Sequence, residues 1–238
     1  MIKLGITSTG YKKGKTFVSA GLASTMQSLG YATCVYKPVH TGGIEKNGFM
    51  QSQDLTFVKT MDPYIGTKFT YLFKSEQEPV IAAEIENARI DKYFIQNDFN
   101  VISEKYDCGI IDGNGGIASP IAANFSEADL FKFLRIPVLV VVTPQKDTVN
   151  EAILSINYAQ QKNVDVRGVV INDYPEFSSD DCIKNIPRLI EEYTDVKILG
   201  IIEHLKSPYT SNDLIATILN GTDVESIFDL KIEKLGMC

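Results

Sequence analysis

The sequence predicts an α/β protein: a mostly parallel, doubly wound sheet covered by helices on both faces, three layers in all. Runs rich in β-branched residues recur near 2–7, 32–37, 107–112, 137–143, 166–172 and 197–202, with helical patterns between them, the alternation of βαβ units. Several runs, such as Val138-Leu139-Val140-Val141-Val142, are apolar without alternation, as strands buried on both faces must be. The first run passes directly into Gly10-Tyr11-Lys12-Lys13-Gly14-Lys15-Thr16 and then into a helical pattern carrying Phe17, Ala20, Leu22, Ala23 and Met26.

Helices are expected over 15–29, 79–87, 91–105, 126–134, 148–162, 179–193 and part of 210–230. Residues 38–78, with Gly42, Gly43, Gly48 and two prolines, read as a long excursion before the sheet resumes, and excursions of that length tend to be functional. With no linker-like shift in composition, one domain over 1–238 is expected.

The stretch 10–16 has the form of a phosphate loop, and the fold is expected to be like that of the P-loop NTPases. Gly10 and Gly14 would permit a turn tight enough to aim backbone N–H groups at an anion, ahead of the positive end of a helix. Lys15, expected to be exposed, would reach the β- and γ-phosphates, and the Thr16 hydroxyl would ligate the accompanying Mg²⁺. The strict G-x-x-x-x-G-K-[ST] pattern is not met, because Thr9 stands where its first glycine belongs.

Composition narrows the classes of function. An apolar fraction of 44% supports a packed core, and a net charge of −7 gives no electrostatic footprint for nucleic acid or an anionic membrane. Cys34, Cys108, Cys182 and Cys238 are widely spaced and the chain has only two histidines, so free thiols in a reducing cytoplasm are expected rather than a zinc site or disulfides. The longest apolar run is far too short to span a bilayer.

Other stretches carry chemistry at strand ends. Lys37, His40 and Thr41 follow the second strand, on the side where a parallel sheet opens onto its ligand crevice; a lysine there neutralises phosphate or carboxylate-like oxygens, with Thr41 a neutral hydrogen-bonding partner. His40 reads at least as well as an ordinary loop residue as it does as a general base. Ile110-Ile111-Asp112-Gly113-Asn114-Gly115-Gly116 delivers an acid to the end of an apolar strand, the layout of a Mg²⁺-holding aspartate. Asp54 reads alone as a helix N-cap. Asn172-Asp173 could read a nucleoside base, or be turn chemistry; Asp147 or Thr148 could cap a helix whose first-turn N–H groups hold an anion.

As a set, these stretches resemble ATP-dependent dethiobiotin synthetases: Gly14-Lys15-Thr16, Tyr36-Lys37-Pro38-Val39-His40-Thr41-Gly42, Asp54, Pro79-Val80-Ile81-Ala82-Ala83, the loop 112–116, Asn150 and Asn172-Asp173. The resemblance covers nearly the whole chain. It implies a cytoplasmic homodimer that converts diaminopelargonate, CO₂ (or bicarbonate) and ATP with Mg²⁺ to dethiobiotin, ADP and phosphate, through a carbamate and a carbamic-phosphoric anhydride. Carried over by position, Lys15, Lys37 and Thr41 would be catalytic. Residues 10–16 and Asn172 would bind the nucleotide, and Thr16, Asp54 and Asp112 the metal. The resemblance also places the helix end at 147–150 at the dimer interface, facing the partner's site, and the unsatisfied N–H groups near Thr148, Val149 and Asn150 are the expected seat of the substrate carboxylate. The chain departs from the family pattern at Ser8, Gly10 and Lys12, at Asp112 in place of glutamate, and at Glu203 in place of proline.

Two other readings remain. A partitioning or septum-positioning ATPase switch has a signature lysine where this chain has Gly10. A diverged paralogue would act on another amine or carboxylate. Replacing Lys15 with Ala should leave a folded protein with little or no MgATP turnover, measured as phosphate release beside an unchanged circular dichroism spectrum, because the ammonium sits where negative charge accumulates. Unchanged turnover would remove the phosphate-loop assignment.

Overall fold

The computed structural model describes residues 1–175 and 179–231. Strand β1 (Ile2–Ser8) leads through the glycine-containing loop into helix α1 (Lys15–Ser28) and then strand β2 (Thr33–Thr41). A hairpin, β3 (Ile44–Lys46) and β4 (Phe49–Gln51), precedes helix α2 (Gln53–Met61) and strand β5 (Gly66–Phe73). Helices α3 (Pro79–Ile85) and α4 (Lys92–Lys105) bring the chain back to β6 (Cys108–Asp112). A second hairpin, β7 (Pro120–Ala122) and β8 (Phe125–Ser126), leads into α5 (Glu127–Leu134) and β9 (Val138–Val142). Then follow α6 (Thr148–Gln161), β10 (Val166–Tyr174), α7 (Asp181–Thr194), β11 (Ile198–Glu203), α8 (Ser211–Gly221) and α9 (Val224–Phe228).

Seven strands form one sheet in the order β11-β10-β9-β1-β6-β2-β5, all pairs parallel. β1 therefore lies at the middle, between β6 and β9, where the winding changes direction; in such sheets ligands bind beyond the carboxyl ends of the strands at this point. The expected helices are present within a residue or two of their predicted ends, with α8 and α9 dividing 210–230. The excursion 38–78 is the main correction. Beside the helix expected to open near Asp54, which is α2, it holds the β3–β4 hairpin and a seventh strand, β5, which pairs with β2 from Cys34↔Gly66 to Thr41↔Phe73. β5 is an edge strand whose residues are mostly half-buried, so it lacks the apolar run that marks the inner strands.

Both faces of the sheet are buried by side chains that alternate along each strand. Leu139 and Val141 of β9 join Leu4 and Ile6 under α1 and α8, whereas Val138 packs with α5 and Val140 and Val142 with α6 and α7. Complete burial on two sides explains why β9 reads as an unbroken apolar run. Phe131 of α5 lies directly on β1 at Gly5, where a Cβ would come within 2.5 Å of the ring. Cys34 and Cys108 are buried free thiols, each pushed up to about 12 by burial; Cys182 is free and exposed, and Cys238 lies outside the described residues. No helix among the described residues is long and apolar enough to cross a membrane.

Because Phe131 is completely buried against the central strand, Phe131→Ala should cost about 3–5 kcal/mol through lost transfer energy and the cavity left behind. A melting temperature lowered by less than about 2–4 °C, the shift per kcal/mol in a chain of this size, would show that the α5 layer repacks freely.

Candidate functional site

The loop between β1 and α1 turns on two residues of positive φ, Lys12 (57°) and Gly14 (83°). Gly10 is not among them and a Cβ there would meet nothing, so of the two glycines expected to make the turn only Gly14 is structurally required. Gly14 is also closely covered: a Cβ would lie 2.1 Å from the Asn172 amide nitrogen, which donates to the Lys13 carbonyl at 3.5 Å. Lys15 is buried at 7% exposure, against expectation. It folds back over its own loop, its Nζ donating to Ser8 Oγ at 3.1 Å and the Gly10 carbonyl at 3.4 Å. Burial pushes its pKa down, opposed by Glu127 and the acids beyond it.

The first turn of α6 clasps the same loop from the side. Glu151 pairs with Lys13 at 2.9 Å and accepts from Thr9 Oγ1 at 3.0 Å. Asp147 occupies the N-cap position without a side-chain bond, while the Thr148 hydroxyl donates to the Thr143 carbonyl and accepts from the Gln145 N–H.

Across the crevice, Lys37 is 2% exposed rather than solvated. Its ammonium lies 2.7 Å from Asp54 Oδ2 and 2.9 Å from Asp112 Oδ2, and donates to the Gly113 carbonyl at 3.1 Å. Burial alone would lower its pKa, but the two carboxylates outweigh burial and hold it above the ordinary lysine value. Asp54 is not the cap of α2; Ser52 is, accepting from the Leu55 N–H, which frees the Asp54 carboxylate to face Lys37 and His40. Those contacts hold Asp54 well below the usual carboxylate range in spite of burial. Asp112, wholly buried, accepts from Thr16 Oγ1 at 3.3 Å and Ser19 Oγ at 3.1 Å. Thr41 donates its N–H to Asn114 Oδ1, and its Oγ1 accepts from Asn114 Nδ2.

A cavity of about 470 Å³ joins these groups, lined among others by Tyr11, Lys15, Thr16, Lys37, Thr41 and Asp54. Tyr11 is pushed up to about 12 by burial and by Glu78 beside it. Thr16, Asp54 and Asp112 offer a hydroxyl and two carboxylates, hard oxygen donors of the kind Mg²⁺ takes when phosphate and water complete its shell. Among the described residues no cluster of three or more His, Cys, Asp or Glu forms a ready-made metal cage. A further cavity of about 280 Å³ opens beside the phosphate loop between Phe17, Asn172, Asp173, His204 and Tyr209. Phe17 and Tyr209 meet edge to face there, with centroids 6.0 Å apart. A separate cavity of about 520 Å³, between α3, α4 and the β7–β8 hairpin, is lined by residues such as Val80, Arg89 and Phe125, with none of the phosphate-loop groups or the acids facing Lys37.

Sequence reasoning missed Glu127, which is 1% exposed on the first turn of α5. It accepts from Thr7 Oγ1 at 2.6 Å, from Asn114 N at 2.9 Å and from Gly115 N at 3.1 Å. Burial pushes its pKa up, countered by Lys15 and by these donors. The one available signal, an acid just after Ser126, is also what any capped helix start shows.

A phosphate loop at the central strand, a buried lysine facing it and an aspartate at the end of the neighbouring strand define a P-loop protein of the nucleoside-triphosphate-using class. The chain matches a family model described as an AAA domain over residues 3–225. It is 33% identical over 204 residues to the ATP-dependent dethiobiotin synthetase of Methanococcus vannielii, covering 86% of this chain and 94% of that one. Against the same enzyme of Bacillus subtilis identity is 28% over 238 residues, covering 98% of each chain. Among solved structures, the cell division ATPase MinD of Pyrococcus furiosus superposes with a TM-score of 0.58 at 13% identity, covering 97% of this chain and 100% of that one, a likeness of fold alone. The chain belongs to the family of ATP-dependent dethiobiotin synthetases and is an enzyme, an ATP-dependent ligase of that kind.

Asp112→Asn should keep the fold, since Asp54 still neutralises Lys37 at 2.7 Å, and should weaken Mg²⁺-dependent turnover far more than nucleotide binding measured without metal. A metal titration matching wild type would reduce Asp112 to a structural partner of Lys37.

Proposed function

We propose that this enzyme closes the ureido ring of dethiobiotin from diaminopelargonate, CO₂ and ATP. The observation that carries the reading is the Lys37 ammonium held between Asp54 and Asp112, beside Thr41 and across a shared cavity from the phosphate loop. Phosphoryl transfer requires positioning and charge stabilisation rather than a protein nucleophile, and this site is rich in charge. The phosphate-loop N–H groups and Lys15 hold the β- and γ-phosphates, and Asn172 with the Phe17–Tyr209 pocket receives the base. Ser8, a departure from the family pattern, keeps Lys15 aimed at the loop. Thr16, Asp54 and Asp112 would hold Mg²⁺, which supplies neutralisation of the triphosphate charge.

One substrate amine adds to CO₂, losing a proton to water, and the resulting carbamate is held by Lys37 and Thr41. A carbamate oxygen forms the bond to the γ-phosphorus as the bond to the β-phosphate oxygen breaks, releasing ADP. The second amine then attacks the carbamoyl carbon, the bond to the phosphate oxygen breaks, and the ring closes as phosphate leaves and takes up the proton that the amine loses. Lys37 faces the oxygens that gain charge in both steps.

The enzyme acts as a homodimer in this reading, the substrate carboxylate resting on first-turn N–H groups of α6 from the partner. Clasping of that turn against its own phosphate loop by Glu151 would fix its position.

Phosphate release by the purified protein should rise strongly when diaminopelargonate and bicarbonate are added together with MgATP. No stimulation would select a switch or a paralogue instead. Specific activity should fall on dilution through the dimer dissociation range, and a fully active monomer would exclude the shared site. Val149→Pro, which removes one backbone donor at a first-turn position, should raise the KM for the amine substrate and leave that for ATP nearly unchanged; equal effects on both would place the carboxylate elsewhere.

A further inference from the structure

Glu127 is a buried carboxylate next to the reacting groups that the scheme above leaves without a task. Its Oε2 accepts from the backbone N–H groups of Asn114 and Gly115, and its Oε1 from the Thr7 hydroxyl of β1, so one side chain ties the loop after β6 to the strand that carries the phosphate loop. The fit is close: a Cβ on Gly113 would lie 2.4 Å from Oε1. The same loop segment holds two groups on the far side of the site. The Gly113 carbonyl accepts from Lys37 Nζ at 3.1 Å, and the Asn114 side chain bonds both the N–H and the hydroxyl of Thr41.

We propose that Glu127 is a positioning residue of this active site, which by the reach of its side chain rather than by its charge sets the loop Gly113–Gly115 and through it the placement of Lys37 and Thr41. The consequence for catalysis rests on the reading of Lys37 and Thr41 as the carbamate-holding groups; the coupling itself does not. All three hydrogen-bond partners of the carboxylate are neutral donors, two of them backbone amides whose positions define the loop. Without an acceptor they would be left unsatisfied in a buried place, which drives the loop to rearrange. The backbone at the start of α5 is stitched to the stretch just after that segment, with Glu127 N–H donating to the Ser119 carbonyl and Ala128 N–H to that of Ile117, so the acceptor is delivered from a fixed base.

Reach and charge separate cleanly by substitution. Glu127→Gln keeps the length: its amide oxygen accepts from Asn114 and Gly115, and its N–H group donates to the Thr7 hydroxyl, which has lone pairs to accept. Glu127→Asp keeps the charge but is a methylene too short, and Glu127→Ala removes the acceptor. The readout is amide hydrogen exchange at Asn114, Gly115 and Thr41, with Val170 in β10 as the control, together with Mg-ADP affinity and the KM for the amine substrate. In Glu127→Asp and Glu127→Ala, exchange at all three amides should rise by about tenfold or more while Val170 stays within about twofold. The KM for the amine should rise in both variants with Mg-ADP affinity nearly unchanged, and Glu127→Gln should match wild type in exchange at the three amides and in that KM.

Unchanged exchange at Thr41 in Glu127→Asp, which does not depend on the alanine variant folding, would overturn the coupling. So would a rise at Val170 as large as at Thr41, which marks a merely structural residue, or a Glu127→Gln protein as impaired as Glu127→Asp, which marks a role of charge. Exchange is measured without turnover. Absence of amine-stimulated phosphate release in wild type would therefore remove the proposed reaction, while the Thr41 amide still decides the role of Glu127.

Discussion

A lysine ammonium buried between two carboxylates is the constraint to which the rest of the structure answers. Taking one charge out of water costs several kcal/mol in a real protein, and removing one partner of a buried set is more damaging than never having built it. Lys37 escapes that cost because Asp54, Asp112 and the Gly113 carbonyl all lie within 3.1 Å of its nitrogen. Lys37 and these partners come from three separate places in the chain, so α2, β2 and the end of β6 must be in register before any of them is satisfied. The hydrogen bonds of Ser19 and Thr16 to Asp112 bring α1, and with it the phosphate loop, into the same agreement.

Two kinds of electrostatics meet in this crevice. Lys37 and Asp112 are buried, their side chains 3% and 1% exposed, and their attraction is little screened, whereas Glu151, which pairs with Lys13 on the outer side of the phosphate loop, has a side chain 36% exposed. Exposed pairs contribute little to stability and weaken with salt. The inner set is thus suited to hold geometry, and the outer pair to yield when an anionic ligand offers Lys13 a better partner.

Much of this was legible in the sequence, and the reason is physical. Strands buried on both faces write unbroken apolar runs, so β1, β6 and β9 could be read together with the loop and the acid at their carboxyl ends, and Gly14, Lys15, Thr16, Lys37 and Asp112 do converge. Strand β5 escaped because an edge strand with one open side has no such run. The burial of Lys15 escaped because folding back onto Ser8 and Gly10 depends on loop conformation rather than on spacing. Taken alone, Asp54 reads as a cap, and only the resemblance sets it among the metal ligands, because an acid beginning a helix serves either purpose; the presence of Ser52 in the capping position decides against the cap. Glu127 was hidden for the same cause, with a partner, Thr7, at a sequence distance of 120 that no local pattern encodes.

The contact between Gly14 and Asn172 bears on how such a site can drift over evolutionary time. A side chain at 14 would collide with the Asn172 amide at 2.1 Å, and that amide also bonds the Lys13 carbonyl, so the residue at the mouth of the pocket proposed to receive the base and the turn ahead of α1 share one volume. Position 172 therefore cannot be retuned for another base independently of the loop at its back. A larger residue there presses on the turn, and a smaller one releases it, so altered base preference in this lineage is expected to travel with compensating changes across the loop, a case of epistasis imposed by shape.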